Sequence, residues 1–211
     1  MLFRSAGRGS AFARISSDLA APPGLRTIVV DDASDDGTGA EVKALLTSRP
    51  SLRYLRHGRR AGQSAALRTG VMAASAAVIA TMDGDGQNDP NDIMRLFVKL
   101  GTQGKEPAMV AGLREGRKAK GSRKAASRFA NWIRDWVLAD GCPDTGCGLK
   151  VYRREAYLAL PYFTSMHRYL PAFFLTYGHE IVYAPVNDRP RLQGASKYTN
   201  LGRALVGRRP L

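Results

Sequence analysis

At 211 residues and 44% apolar content, the chain is long enough for one domain with a sizeable core, and 22 Gly with 11 Pro fall short of a low-complexity profile. Thirty-two basic residues against 18 acidic ones give a net charge of +14, which attracts polyanions: nucleic acid, anionic headgroups or phosphorylated substrates. Two Cys and three His are too few for a disulfide framework or a zinc centre, and they point to a reduced cytosolic protein. No run approaches the ~20 apolar residues of a membrane span. The opening MLFRSAGRGSAFAR is basic but lacks the continuous apolar stretch of a secretory signal.

In chain order, four short apolar runs predict buried parallel strands at Thr27–Val30, Leu52–Leu55, Ala77–Met82 and Ala108–Ala111. Helical patterns at Thr38–Thr47, Gln63–Ala74 and Asp89–Leu100 alternate with them. That alternation predicts βαβ units: an α/β fold whose mostly parallel sheet carries helices on both faces. Asp89 is a candidate cap for a helix opening at Pro90, and Arg49-Pro50 closes the helix before it. Ser122–Ala139 has the apolar stripe of an amphipathic helix, and Gly141–Gly148 has turn chemistry. A strand at Leu149–Tyr152, a helix near Arg168–Tyr177 and a strand at Ile181–Ala184 follow, then a polar, basic tail.

Five segments carry candidate chemistry. In VVDDASDDGT the pair Asp31-Asp32 stands where a buried strand ends, the place where open α/β sheets bind ligands, and a ribose hydroxyl or base edge suits it. Helix capping accounts for one of Asp35 and Asp36 but not for that pair. In MDGDGQNDP the carboxylates of Asp83 and Asp85, with the Gln87 carbonyl, offer hard oxygen ligands to one Mg²⁺ or Mn²⁺ and leave positions for substrate phosphates. The bland alternative is an Asp-Gly turn. Arg59–Ala66 is a basic turn whose Gly62 and Gln63 open a helix, where backbone N–H groups suit a phosphate or ribose oxygen. Asp144 is an acidic residue in the tight loop PDTGCGLK, where it is either a turn cap or a functional carboxylate; Cys147 beside it reads as a packing residue. Among the late basic residues, Arg191–Tyr198 is a Gly-hinged loop with cationic ends suited to closing over a diphosphate.

The ordered series VVDDASDDGT, AGQSAALRTG, MDGDGQNDP, DTGCGLKVYRREA, HRYLPAF and RPRLQGASKY resembles family 2 glycosyltransferases of the GT-A fold, and most of all the polyprenyl-phosphate sugar transferases. The resemblance runs from about Leu25 to Arg203. It implies that Asp31, Asp32, Gly62, Gln63 and Asp83 bind the nucleotide-sugar donor, and that Asp83, Asp85 and Gln87 hold the metal on its diphosphate. It further implies that Arg114, Arg191 and Lys197 neutralise phosphate, while Asp144 orients the acceptor or acts as base. Asp85 and Asp144 are the catalytic candidates.

Members of the family begin with a strand ending in a Pro-x-x-Asn-Glu-like motif, absent from residues 1–24 here, and Asp188 stands where the pattern has His. The expectation is therefore a sheet lacking its first strand. Residues 1–24 would be an atypical lead, 25–203 the catalytic domain and 204–211 a remnant of a shortened C-terminus.

The implied reaction is inverting, metal-dependent transfer from a nucleoside-diphosphate sugar to a dolichyl or undecaprenyl phosphate. The protein would work peripherally on the cytoplasmic face of a membrane, with no nucleic-acid partner. A nucleotidyltransferase, a basic nucleic-acid-binding module and a membrane-surface scaffold are the alternatives. Acidic pairs at strand ends, which repel a polyanion, weigh against the nucleic-acid module.

Overall fold

The computed structural model describes residues 2–5, 25–101, 107–114, 144 and 146–189. The strands are β1 (Leu2–Ser5), β2 (Thr27–Asp31), β3 (Leu52–Arg56), β4 (Val78–Asp83), β5 (Met109–Arg114), β6 (Lys150–Arg153) and β7 (Ile181–Val186). The helices are α1 (Thr38–Leu46), α2 (Gln63–Ala73), α3 (Asp92–Leu100), α4 (Arg154–Leu158) and α5 (Leu170–Thr176), with a 3₁₀ turn at Met166–Arg168. The predicted helix at Ser122–Ala139, the tail with Arg191 and Lys197, and Cys142 lie outside the described residues.

The seven strands form one sheet in the order β3-β2-β1-β4-β6-β5-β7. Every pairing is parallel except those of β6, which runs antiparallel to both β4 and β5. The expectation of a missing first strand is corrected here. Leu2–Ser5 fills the gap between β2 and β4, with Phe3 level with Val29 on one side and Met82 on the other. Four residues with no β-branched side chain carry little strand signal, but a strand between two ladders needs only backbone groups to close both.

All five residues of β2 are buried, as expected of a strand covered on both faces. Alternation sorts the core into two layers. Val29, Ala80, Met82, Val110 and Val151 pack with Val42 of α1 and with Ile93, Leu96 and Leu100 of α3. Ile28, Val30, Ile79, Met109 and Tyr152 pack on the opposite face with Ala66 and Val71 of α2, Tyr157 of α4 and Phe174 of α5. The assigned span of α3 starts at Asp92, and the expected cap precedes it: Asp89 Oδ1 accepts the Asn91 N–H at 3.0 Å, and the carbonyls of Asp89 and Pro90 accept the N–H groups of Asp92 and Ile93, each at 3.1 Å.

The C-terminal end of α2 is closed by guanidinium groups. Arg154 donates from Nε to Val71 O at 3.0 Å and from Nη2 to Met72 O at 3.4 Å, while Arg53 Nη1 reaches Ala73 O at 2.8 Å. These are carbonyls of the last turn that no helical N–H serves, at the negative pole of the helix. Replacement of Arg154 by Ala removes two of the bonds. It is expected to lower stability by about 1–2 kcal/mol, read from the midpoint of denaturant unfolding.

Candidate active site

The carboxyl ends of β2 and β4 flank β1, with Ser5 level with Asp31 and Arg4 level with Asp83. The two acidic segments of the sequence therefore meet at one edge of the sheet, where α/β sheets bind their ligands.

Asp31 is fully buried, and both its oxygens are engaged. Oδ1 accepts the Ser34 N–H at 2.8 Å, and Oδ2 accepts the Tyr54 hydroxyl at 2.6 Å with Arg56 Nε at 3.6 Å. Burial alone would raise its pKa, but the bonds from Ser34 and Tyr54, with Arg56, outweigh burial and hold it below the usual carboxylate range. Burial and the Asp31 charge push the Tyr54 phenol up to about 12.

Asp32 is also buried and reaches across to the start of α2. It accepts the N–H of Ala61 at 2.8 Å and of Gly62 at 2.9 Å, and pairs with His57 Nδ1 at 2.8 Å. Gly62, at φ 92 and ψ 169, holds a backbone conformation that L side chains rarely adopt. His57 is fixed from three sides: its backbone N–H bonds to Asp31 O at 2.9 Å, and its Nε2 meets Thr69 Oγ1 at 2.9 Å. Asp36, for its part, anchors the start of α1, accepting the Thr38 hydroxyl at 2.7 Å.

From this turn α2 reaches the second acidic segment. Gln63 Nε2 donates to Asp83 Oδ1 at 3.0 Å. On the other side of Asp83 stands Gly148, where a Cβ would come within 2.5 Å of Asp83 Oδ2; the Thr81 hydroxyl holds the Gly148 carbonyl at 3.2 Å. Asp85 folds its own loop, with Oδ1 accepting the Gln87 N–H at 3.1 Å.

The donor set fits a hard divalent cation. Asp83 and Asp85 are half-buried at the strand end, and Asp188, which bridges to Asn88, has a buried Oδ1 with no hydrogen-bond partner. Among the described residues no group of three His, Cys, Asp or Glu side chains is close enough to hold an ion by itself. An ion here would therefore take further ligands from Gln87, water and substrate phosphate, as Mg²⁺ and Mn²⁺ do.

Arg114 and Asp144, assigned separate tasks by the sequence, are brought together. Nε and Nη2 of the guanidinium meet Oδ2 and Oδ1 of the carboxylate, each at 2.7 Å, in a two-pronged pair. Asp144 thereby raises the pKa of Arg114. Cys147 is buried and its thiol is pushed up by that burial, in keeping with a packing role.

Sequence reasoning missed His57, Tyr54, Asp92 and the partnership of Ser64 with His167. Position is the signal for the first: His57 follows the end of a strand adjacent to the acidic pair. Asp92 accepts Asn187 N–H at 2.7 Å and Arg95 Nη2 at 2.7 Å. Arg189 donates its backbone N–H to Gln87 O at 2.8 Å and pairs with Asp89 Oδ2 at 2.7 Å. The segment after β7 is thus laced onto the metal-loop candidate. Ser64 Oγ lies 2.8 Å from His167 Nδ1, tying α2 to the 3₁₀ turn.

The family model of glycosyl transferase family 2 matches residues 12–160. The chain belongs to that family. Dodecaprenyl-phosphate galacturonate synthase of Rhizobium johnstonii is 34% identical over 175 residues, covering 81% of this chain and 51% of that protein. Undecaprenyl-phosphate 4-deoxy-4-formamido-L-arabinose transferase of Edwardsiella ictaluri is 29% identical over 173 residues, covering 81% of this chain and 52% of that protein. The chain spans about half the length of these curated relatives.

Two solved structures share the fold. A mannosyltransferase from Pyrobaculum calidifontis, in complex with GDP-mannose and Mn²⁺, superposes with a TM-score of 0.66 at 18% identity over 92% of this chain and 57% of its own. Glucosyl-3-phosphoglycerate synthase from Mycobacterium tuberculosis, with Mn²⁺, UDP-glucose and glycerol 3-phosphate, gives 0.70 at 16% identity over 92% and 72%. The fold is GT-A.

Two measurements test the geometry itself. With His57 replaced by Ala, Asp32 loses one of its holders. The amides of Ala61 and Gly62 should then exchange about tenfold faster while those of β2 keep their protection. Asp31 is held ionised more strongly in the native state than in the unfolded chain, where its pKa is about 3.9. Its contribution to stability is therefore complete above that value and fades as pH falls below it. Tyr54→Phe should reduce the steepness of acid unfolding below about pH 4.

Proposed function

We propose that this family 2 domain transfers a sugar from a nucleoside-diphosphate donor to a polyprenyl phosphate, with inversion at the anomeric carbon. The observation that carries the reading is the bond from Gln63 to Asp83, which joins the Gly62 turn to the Asp83–Asp85 loop in one cleft edge. The names of the two curated relatives, both polyprenyl-phosphate sugar enzymes, support this acceptor class.

In this reading Asp31 and Asp32 shape the base and ribose end of the donor site. Asp31 acts by holding Tyr54 and Ser34, and Asp32 by presenting the Ala61–Gly62 turn. Gly62 and Gln63 face the donor's ribose and diphosphate. Asp83, Asp85 and Gln87 would hold Mg²⁺ or Mn²⁺, which when bound offsets the charge of the departing nucleoside diphosphate. Arg114, Arg191 and Lys197 add positive charge for the donor diphosphate or the acceptor phosphate.

A phosphate monoester has a second pKa of about 6, so the attacking oxygen is already largely ionised at neutral pH and needs no strong base. The pairing of Asp144 with Arg114 suits this chemistry. The carboxylate aims the guanidinium, and a base role for Asp144 would be required only with a hydroxyl acceptor. The net charge of +14 suits peripheral attachment to an anionic cytoplasmic membrane surface. No helix among the described residues is long and apolar enough to cross a membrane. Family membership weighs against a nucleotidyltransferase and a nucleic-acid-binding module alike.

Asp85→Asn keeps the shape of the loop and removes one anionic ligand. Turnover should fall about 100-fold or more, and Mn²⁺-dependent thermal stabilisation by UDP- or GDP-sugars should disappear. Turnover within a few-fold of the unaltered protein would remove Asp85 from the metal set.

A further inference from the structure

Away from the acidic edge, the seam between α2 and residues 157–167 contains polar groups with no acceptor. Arg68 lies four residues after Ser64, so it shares the face of α2 that meets the 3₁₀ turn through Ser64 and His167. Its guanidinium carbon stands 5.3 Å from the centroid of the Tyr162 ring, which caps the cation on one side and is itself 44% exposed. Nη1 of Arg68 is buried and makes no hydrogen bond. Tyr157 of α4 is fully buried, and its hydroxyl also has no partner.

The two groups sense one another: burial pushes the Tyr157 phenol up to about 12, and Arg68 opposes the rise. Behind Tyr157, Tyr152 stacks on it with ring centroids 5.5 Å apart, and its fully buried hydroxyl is again unpartnered. Buried polar groups are almost always hydrogen-bonded, so this concentration of exceptions in one seam has a physical cause.

A guanidinium can only donate, and a phenol readily donates. What is missing is therefore an acceptor. Among the described residues no carboxylate pairs with Arg68. A water would accept one bond from each group but leave a partly buried cation without a counter-charge, which is unfavourable.

We propose that this seam binds a phosphate-type oxyanion, gripped by Arg68 Nη1 and the Tyr157 hydroxyl under the ring of Tyr162. Charge-assisted bonds from a guanidinium and a phenol suit a tetrahedral oxyanion, whether free phosphate or the phosphodiester of a lipid headgroup. The anion would stiffen α2 against α4 and the 3₁₀ turn. The site shares no residue with the acidic edge and does not rest on the transferase reading.

The test uses the whole chain, freed of divalent metal with EDTA, titrated with inorganic phosphate at constant ionic strength while thermal melting is followed. Arg68→Met and Tyr157→Phe are compared with the unaltered protein, and Asp85→Asn reports on the acidic edge. The melt of the unaltered protein and of Asp85→Asn should rise saturably with phosphate. Arg68→Met should lose the response, and Tyr157→Phe should need about tenfold more phosphate, the loss of one bond to a charged group. Without phosphate, Tyr157→Phe should melt no lower than the unaltered protein, because the deleted hydroxyl had no partner.

A parallel arm sediments the proteins with phosphatidylglycerol vesicles. Binding that depends on Arg68, with no response to inorganic phosphate, assigns the headgroup as the source. An equal phosphate response in all four proteins, or no Arg68-dependent effect in either arm, overturns the proposal. If Arg68→Met fails to melt cooperatively, Tyr157→Phe decides: a phosphate and vesicle response equal to that of the unaltered protein overturns it.

Discussion

The carboxylate of Asp32 is the interaction on which the remaining architecture of the edge depends. A buried carboxylate without partners is costly, and this one is satisfied by two backbone N–H groups and an imidazole. Those N–H groups belong to the turn that opens α2, whose N-terminal end favours negative charge. The charge that ends β2 therefore fixes where α2 begins. Once α2 is placed, Gln63 reaches Asp83 and Ser64 reaches His167, so three segments distant in sequence take their positions from one oxygen pair.

The acids at this edge divide by how the protein uses them. Asp31, Asp32 and Asp92 are buried and turned to internal donors, where they act as struts. Asp83 and Asp85 are half-buried at the mouth, and Gly148 is kept without a side chain beside Asp83. A chain with so large an excess of basic residues can keep a strongly acidic edge because arginines serve its acids: Arg56 at Asp31, Arg95 at Asp92, Arg114 at Asp144 and Arg189 at Asp89. The Arg114–Asp144 pair, largely shielded from solvent, is the one in which geometry and charge reinforce each other most closely.

Much of this was legible in the residues. The apolar runs place β2, β3 and β4 to within a residue and the start of β5 to within one, while β5 continues three residues past its predicted end, where Gly112, Leu113 and Arg114 dilute the apolar signal. The position of the acidic pairs was legible as well, since each directly follows an apolar run and so stands at a strand's carboxyl end. β1 was not, because its four residues owe their conformation to the ladders on either side. The roles of Asp31 and Asp32 as internal struts were hidden too, since they are set by Tyr54 and His57, more than 20 residues away. Asp89 was legible as a cap, its Oδ1 holding the Asn91 N–H, whereas the pairing of its other oxygen with Arg189, 100 positions along the chain, was not.

The reversed direction of β6 has a consequence for the mouth of the cleft. β5 ends at the acidic edge with Arg114, and β6, running the other way, begins at that same edge with Lys150. The chain between them must leave from the cleft and return to it. Its returning end is tied to that edge, Asp144 to Arg114 and Gly148 against Asp83. A single reversed strand thus brings Arg114 and Asp144, 30 positions apart in the chain, to the same mouth as the acidic strand ends.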